Sequence, residues 1–324
     1  MGVYNEWGRL KEVLLGDVRD AVLPKFQEDW GRYANLRGYI LGNEGVRWVE
    51  RDPENGPKMI EQMEGFEKQL LSHGVKVHRA APIPDDVRAL DGLIGDGMLY
   101  ARDPHLVIGR NIIQTNLRMT FRRKEHYAWT SLFERHCEQH PDVRWVNMPD
   151  TRPTPDGKTP AEWRNDPRLF VEGGDTFVLG KDVLVGFSSL ASSPAGVSWL
   201  RRFLAEDEYN VHLVPIHDDW LHLDCFFAVV REGLAVAYMD GFKEGVPKPL
   251  KDWEFIEATA EEGHAMGTNT LCLEPGKVFI GAQHERLIEE IDKKGDVPIP
   301  VKYDDVEWNG GGIRCSTHPL VRDA

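Results

Sequence analysis

One short pattern recurs along this chain of 324 residues: an apolar run, a turn rich in glycine, and a second apolar run. Short runs of β-branched and aromatic residues on both sides of such a turn are typical of β-hairpins. The chain therefore predicts one supersecondary unit used several times, at a spacing too irregular for a solenoid of fixed period. The full copies are residues 102–114, 174–187, 222–238 and 268–281, and residues 8–17 form a partial fifth copy.

Segments with helical period lie between the hairpins. Helices are predicted over 57–73 and 122–139, from Pro194 onward, and over 282–294 after the last hairpin. The residues predicted to face inward are Ile60, Met63, Phe66, Leu70 and Leu71 in the first helix and Tyr127, Leu132 and Phe133 in the second. Hairpin, helix and strand thus alternate about five times, and no linker divides the chain, so we predict a single domain over residues 1–324.

Each hairpin carries a polar side chain at the mouth of its first strand. Equivalent positions of a repeated unit converge on one end of the assembly, so several carboxylates and a histidine are expected around one central cavity. Because a strand has a period of two, His222 and Asp224 are expected to point to the same side. The mouth residues are Asp103, Glu172 with Asp175, His222 with Asp224, and Asn269.

The four cysteines are far apart and form no CxxC pair, which indicates a reducing, cytoplasmic setting rather than a disulfide framework. Cys315 directly follows the glycines at 310–312, and it is the candidate nucleophile. Strand alternation predicts that Arg314 points away from it, and His318 is expected on the surface. The cysteines predicted to be core residues are Cys137, Cys225 and Cys272.

Composition excludes several classes of partner. With 39 basic and 53 acidic residues the net charge is −14, and a phosphate backbone needs a basic surface, so nucleic acid is not expected as a partner. No apolar run is long enough to span a membrane, and the first residues lack the pattern of a signal peptide. The stretch 149–168 is predicted to be a long loop, and homo-oligomerisation is left open.

The candidate residues suit one chemistry. A thiolate, a histidine and a carboxylate make a nucleophilic triad, here Cys315, His222 and Glu172. Further carboxylates near a thiol suit a planar cation, and guanidinium is permanently charged with forked donors that match carboxylates. In this scheme Asp103 and Asp224 hold the guanidinium, Cys315 attacks its central carbon, and His222 protonates the leaving nitrogen.

Five motifs together resemble the pentein, or guanidino-group-modifying, superfamily. The resemblance implies an α/β fold, a five-bladed α/β-propeller of ββαβ units, and a covalent amidino-cysteine (thiouronium) intermediate formed without a metal or organic cofactor. The resemblance implies that Cys315 is the nucleophile, that His222 is the acid and base, and that Glu172 is the partner of His222. It also implies that Asp103 and Asp224 are carboxylates that bind the guanidinium. The motifs are RDP at 102–104, EGGD at 172–175, HLD at 222–224, GTN at 267–269 and GGGIRC at 310–315.

Two branches of the superfamily are similar to different parts of the chain. The opening NEWGRLKEVLLG and the segment 199–215 resemble glycine and inosamine amidinotransferases, whereas RDPHLVIG and RCSTHPLVRD resemble arginine deiminases. The deiminase resemblance implies that Arg122 binds a substrate carboxylate, and Asn269 is counted with it as substrate-binding. The arginine of an SxRT motif is missing at 186–194, and the long helical insertion of bacterial arginine deiminases is absent.

We therefore expect a hydrolase of the guanidine C–N bond that acts on arginine or a related small, cationic guanidino compound. An amidinotransferase, which passes the amidino group to an amine, is the alternative. Two further hypotheses are a metal-dependent hydrolase using His222 and Asp224, and a binding module without catalytic activity. The isolated HxD motif weighs against the first, and the complete set of Cys315, His222 and Glu172 weighs against the second.

Overall fold

The structure is a computed structural model that describes residues 1–26, 40–89, 94–150 and 168–324. The strands are β1 (Leu10–Leu15), β2 (Lys76–Arg79), β3 (His105–Ile108), β4 (Asn111–Gln114), β5 (Arg144–Asn147), β6 (Thr176–Leu179), β7 (Asp182–Phe187), β8 (Asn210–Pro215), β9 (Phe227–Arg231), β10 (Leu234–Ala237), β11 (Glu254–Glu257), β12 (Leu271–Glu274), β13 (Lys277–Gly281), β14 (Val297–Val301) and β15 (Thr317–Arg322). The α-helices are α1 (Trp48–Arg51), α2 (Asn55–Ser72), α3 (Asp85–Arg88), α4 (Thr130–Gln139), α5 (Pro194–Phe203), α6 (Ala260–His264), α7 (Glu285–Lys293) and α8 (Asp304–Glu307).

Within the described ranges the strands form five sheets of three strands each. In every sheet two strands pair antiparallel, and the third joins the middle strand in parallel. A parallel third strand needs a crossover connection, which is the ββαβ arrangement. The orders are β15-β1-β2, β3-β4-β5, β6-β7-β8, β9-β10-β11 and β12-β13-β14.

The four full hairpins predicted from the sequence are confirmed. Each turn contains one glycine with φ between +57° and +78°, a backbone conformation that other residues rarely adopt. These glycines are Gly109, Gly180, Gly233 and Gly276. Local turn chemistry thus sets the position of every one of these hairpins.

The partial fifth copy at the N-terminus is completed by the other end of the chain. β1 pairs antiparallel with β15, so that Val13 lies opposite Pro319 and Leu15 opposite Thr317. The two ends of the described chain therefore share one sheet, a pairing that no local pattern predicts.

The helix predictions are confirmed for α2, α5 and α7 and are only partly right for 122–139. Residues Thr120–Trp129 form a 3-10 helix, and α4 begins only at Thr130. Tyr127 was expected to face inward, but its side chain is 47% exposed, because the tighter 3-10 turn changes which positions share a face. Leu71 is also exposed, since the 100° step from buried Leu70 takes it off the inner face of α2.

One sheet lacks the expected helix. Between β10 and β11 the chain makes two short 3-10 turns, Met239–Gly241 and Lys248–Leu250. Two prolines, Pro247 and Pro249, interrupt this stretch, and proline removes a backbone donor and disfavours a helix interior. The predicted loop 149–168 lies almost wholly outside the described residues. Among the helices of the described residues, none is long and apolar enough to cross a membrane.

The apolar core is divided into clusters that each join two neighbouring sheets. One cluster holds Val107 of β3 with Leu320 of β15, and another holds Ile113 of β4 with Val183 of β7. The others link β6 to β9, β10 to β13, and β13 back to β1. Five sheets joined in this cyclic order make a closed five-bladed α/β-propeller, as expected.

Candidate active site

A cavity of about 480 Å³ is lined by residues from the mouths of several blades. Of the predicted site residues, Asp103, Arg122, His222 and Cys315 line it directly. The others lie behind them and are hydrogen-bonded to them, as described below. The cavity thus brings together residues that lie more than 200 positions apart in the chain.

His222 lies between two carboxylates. Its Nε2 is 2.8 Å from Glu172 Oε2, and its Nδ1 is 3.9 Å from Asp103 Oδ1. Burial alone would lower the pKa of His222, but Asp103, the hydrogen bond to Glu172 and the charge of Asp175 raise that pKa to about 10. The imidazole is therefore an imidazolium at neutral pH, able to donate a proton.

Glu172 is fixed at both oxygens. Its Oε1 accepts a hydrogen bond of 2.8 Å from the backbone N–H of Arg118, while Oε2 bonds His222. Gly174 lies directly against the imidazole, because a Cβ atom at this position would be 2.5 Å from His222 Nδ1. The EGGD motif supplies both the partner of the histidine and the space for its ring.

Cys315 is buried and held by Asn269. The Asn269 Oδ1 accepts from the Cys315 backbone N–H at 3.0 Å, and its Nδ2 donates to the Cys315 Sγ at 3.1 Å. Burial raises the pKa of the Cys315 thiol well above its usual value, and the charge of Asp224, 3.7 Å from the Sγ, raises it further. The thiol is therefore neutral in the structure. Asn269 was expected to contact substrate, but these bonds direct its amide to the cysteine.

One carboxylate oxygen of Asp224 is hydrogen-bonded, and the other is not. Arg314 Nη1 donates to its Oδ2 at 3.0 Å, whereas Oδ1 is buried without a hydrogen-bond partner among the described atoms. A buried carboxylate oxygen without a donor is costly, and a cationic ligand with N–H groups would satisfy it. Arg314 is not among the described residues that line the cavity, and its buried guanidinium donates to Asp224 and to the Thr176 carbonyl oxygen.

Arg122 is bound by two carboxylates. It donates to Asp103 Oδ2 at 2.8 Å, and its Nε and Nη2 donate to Glu125 at 2.8 and 2.9 Å. The His222 charge and Arg122 together overcome the effect of burial and lower the pKa of Asp103. Arg122 was expected to bind a substrate carboxylate, yet its described donors are directed at Asp103, Glu125 and the Tyr100 carbonyl oxygen.

The argument from strand period that was applied to His222 and Asp224 is wrong, because neither residue lies in a strand. Residues Leu223–Cys225 form a 3-10 turn, and β9 begins only at Phe227. The turn places His222 in the cavity wall and Asp224 behind Cys315. A 3-10 turn before a strand leaves no periodic signal in the sequence, and only the HLD spacing identified both residues.

The structure also places three other residues that the sequence analysis named. His318 is buried rather than on the surface, and its Nδ1 lies 2.9 Å from the Arg102 carbonyl oxygen. Cys225, predicted to be a core residue, also lines the cavity. Asp175 is buried behind His222, where it accepts from the Leu223 N–H at 3.0 Å and from the Ser192 hydroxyl at 2.6 Å.

Three of the site residues could in principle hold a metal ion. One ligand atom each from Asp103, Glu172 and His222 lies within 4.8 Å of the others. However, metal ligation needs a neutral imidazole, and the His222 pKa of about 10 favours imidazolium. Arg122 already donates to Asp103. The donor set therefore fits a hydrogen-bonded acid–base site better than a metal centre.

Comparison with known proteins agrees with the fold and the motifs. The arginine deiminase family matches residues 96–246. The L-arginine:L-lysine amidinotransferase of Pseudomonas savastanoi pv. phaseolicola is 24% identical over 98% of this chain and 93% of its own length. The structure of an inosamine-phosphate amidinotransferase from Streptomyces griseus superposes with a TM-score of 0.84 at 22% identity, covering 100% of this chain and 97% of that one.

A hydrolase with the same fold is more distant. The structure of a dimethylarginine dimethylaminohydrolase superposes with a TM-score of 0.63 at 16% identity, covering 95% of this chain and 98% of that one. Both kinds of neighbour share the five-bladed arrangement derived above from the sheets and core clusters. The family match, the amidinotransferase relatives and the hydrolase of the same fold support assignment to the pentein superfamily of guanidino-group-modifying enzymes.

Proposed function

We propose that this protein is a cysteine-dependent amidinotransferase, which moves an amidino group from a guanidino donor to an acceptor amine through Cys315. The observation that carries the proposal is the Cys315 thiol in a cavity that Asp103 and His222 also line, with Glu172 bonded to His222 and Asp224 beside the thiol. Transfer is favoured over the hydrolysis expected from the sequence, because relatives matched over nearly the whole chain are named amidinotransferases.

Donor binding rests on Asp103 and Asp224. The buried Oδ1 of Asp224 lacks a donor, and Asp103 lies beside His222. A guanidinium placed between them directs N–H groups to both carboxylates and brings its central carbon to the Cys315 Sγ. Its positive charge also lowers the thiol pKa, so that the thiol proton is released to solvent as the donor binds.

In the first half-reaction the thiolate attacks the guanidinium carbon and forms a C–S bond. The bond between this carbon and the nitrogen that carries the donor's skeleton then breaks, and the leaving nitrogen takes a proton from His222 and departs as an amine. The amidino group remains on Cys315 as a thiouronium. Glu172 keeps the imidazole oriented through its 2.8 Å contact with Nε2.

In the second half-reaction an acceptor amine enters the same cavity and attacks the thiouronium carbon. His222, now neutral, takes a proton from the attacking nitrogen, a new C–N bond forms, and the C–S bond breaks. The products are a guanidino compound and the free cysteine. In this scheme Asn269 is a positioning residue for Cys315, and residues 1–324 act as one catalytic domain.

A second candidate is the hydrolase, in which ammonia leaves first and water attacks the S-alkylthiouronium that remains on Cys315. The match of residues 96–246 to the arginine deiminase family favours it. The two reactions differ in the first leaving group, which is the donor amine or ammonia, and in the second nucleophile, which is an amine or water. Ureido product and ammonia formed at the same rate with and without added amine would establish the hydrolase and overturn the transferase.

The test follows Cys315 by mass spectrometry. The protein is incubated with arginine, agmatine or methylguanidine, and the mass increase of one amidino group on Cys315 is measured with the release of donor amine. Addition of acceptor amines then follows. We expect amine-dependent loss of the label, no label in Cys315→Ser, and normal labelling in the control Cys137→Ser, which changes a half-buried thiol outside the cavity.

Two outcomes would overturn the proposal. Turnover that persists in Cys315→Ser but stops in chelator would favour the metal-dependent hydrolase. Tight guanidine binding without any label on Cys315 would favour a binding module. Neither outcome depends on which donor of the panel is best.

A further inference from the structure

One group of residues in the cavity lining, the first wall, is apolar. Leu23, Ile40 and Phe121 form a small buried cluster, against which Trp48 and Met119 pack, and all five line the cavity. These side chains offer aliphatic and aromatic surface to the body of a bound substrate.

A second group of residues in the lining, the second wall, is apolar as well. Trp220 is stacked on the ring of His264, with centroids 4.2 Å apart and planes 14° from parallel. Leu221 and Met266 belong to the same group. Trp308 also lines the cavity and is 67% exposed, which is high for a large aromatic side chain.

Partners for an anionic group are few. Among the lining residues in the described ranges, Arg122 is the one arginine and lysine does not occur. Arg122 is bound by Asp103 and Glu125, and the exposed Asp219 adds a carboxylate to the lining. Within the described part of the lining, a carboxylate or phosphate on the substrate would lose its hydration between apolar walls without gaining a free cation.

We propose that the preferred acceptor is a primary amine with an uncharged alkyl or aromatic body, which carries no carboxylate, phosphate or second cationic group. This inference rests on the proposed amidino transfer and names the class of its second substrate. The amine nitrogen reaches Cys315, while the body lies between the two apolar walls. Each further buried CH₂ group is expected to improve kcat/KM by about two- to fourfold.

The experiment uses the full chain with Cys315 already labelled by the donor that loads it best. Three acceptors of equal length are compared: hexylamine, 6-aminohexanoate and 1,6-diaminohexane. We expect hexylamine to remove the label with a kcat/KM at least tenfold above that of either other amine. Equal or faster reaction of 6-aminohexanoate would overturn the inference, because it would indicate a site for an anion. Equal or faster reaction of 1,6-diaminohexane would also overturn it, because it would indicate a site for a cation on the aromatic walls.

Two variants test the walls themselves. Met119→Lys places a cation in the first wall and should shift the preference toward 6-aminohexanoate by at least tenfold. Trp308→Ala changes an exposed residue, so folding is preserved, and it should raise KM for hexylamine severalfold. Its matched control is Tyr127→Ala, an exposed aromatic outside the cavity, for which KM should not change. An unchanged KM in Trp308→Ala together with an unchanged preference in Met119→Lys would overturn the inference.

Failure of the two proposals can be told apart. If no donor labels Cys315, or if water alone removes the label, amidino transfer itself fails. If amines remove the label but glycine or 6-aminohexanoate does so as well as hexylamine, transfer stands and only the acceptor class is wrong.

Discussion

Three buried carboxylates, those of Asp103, Glu172 and Asp224, set the protonation states of His222 and Cys315. His222 is an imidazolium because Asp103 and Glu172 outweigh its burial, whereas burial beside Asp224 keeps the Cys315 thiol neutral. The proton needed by the leaving nitrogen is therefore already in place, but the nucleophile is not yet ionised. Binding of a cation is the event that changes this, which couples donor recognition to activation of the thiol.

The charge of His222 predicts a pH dependence. Its folded-state pKa of about 10 lies above the usual 6.5, so its contribution to stability is complete below pH 6.5 and is lost as pH rises through 10. Donor-amine release should decline over the same alkaline range. In Glu172→Gln the pKa of His222 falls, and the decline should move down by about one to two pH units.

The matched control is Glu12→Gln. Glu12 contacts His78 Nε2 at the same 2.8 Å, but this pair lies outside the cavity. The pH profile of donor-amine release is measured for both variants and the unchanged protein. Coincident alkaline limbs in all three would contradict the assigned role of Glu172.

The site is built from short turns rather than from the strands themselves. The 3-10 turns Gly173–Asp175 and Leu223–Cys225 precede β6 and β9, and Glu172 and His222 are the residues directly before these turns. Such turns allow neighbouring residues to face different partners, whereas a strand would alternate them strictly. Glycine at position 174 is needed because the backbone of one turn lies against the histidine of the other.

Gly174→Ala should therefore damage the site. A Cβ atom 2.5 Å from His222 Nδ1 must displace the ring, which should lower the rate of donor-amine release at least tenfold and cost about 1–3 kcal/mol of stability. The control is Gly65→Ala, within α2, where nothing lies within 4 Å. It should raise the free energy of unfolding by about 0.5–1 kcal/mol and leave the rate unchanged. Full activity in Gly174→Ala would contradict the packing argument.

At the scale of the whole molecule, the two ends of the chain close the ring. β15 is buried along its entire length and pairs with β1, and Cys315 lies two residues before it. The strand that completes the fifth blade therefore directly follows the segment that carries the nucleophile. Closure of the ring and assembly of the site are expected to be one cooperative event.

Removal of residues 317–324 should abolish both the closure of the ring and the assembly of the site. Without β15, β1 loses its antiparallel partner and an apolar cluster loses one side, so no cooperative thermal transition is expected by near-ultraviolet circular dichroism. Removal of only Asp323 and Ala324 breaks the exposed Lys11–Asp323 ion pair and one backbone bond, and should cost about 1 kcal/mol. A cooperative transition at the original temperature in the longer truncation would refute this dependence.

Local chemistry in the sequence determined a large part of this architecture. Glycines at positive φ placed four hairpins, and the apolar periodicity of α2, α5 and α7 identified those helices, because turns and amphipathic faces depend on near neighbours in the chain. The motifs around Asp103, Glu172, His222 and Cys315 identified residues that the fold brings to one cavity.

Only the tertiary structure decided the rest, because it depends on contacts between distant segments. It paired β1 with β15, buried Arg314 against Asp224, directed Asn269 to Cys315, and committed Arg122 to Asp103 and Glu125. It also lined the cavity with apolar side chains from separate parts of the chain, which no single motif encodes. The sequence thus determined which residues could react with a guanidinium, and the tertiary structure decided what surrounds them.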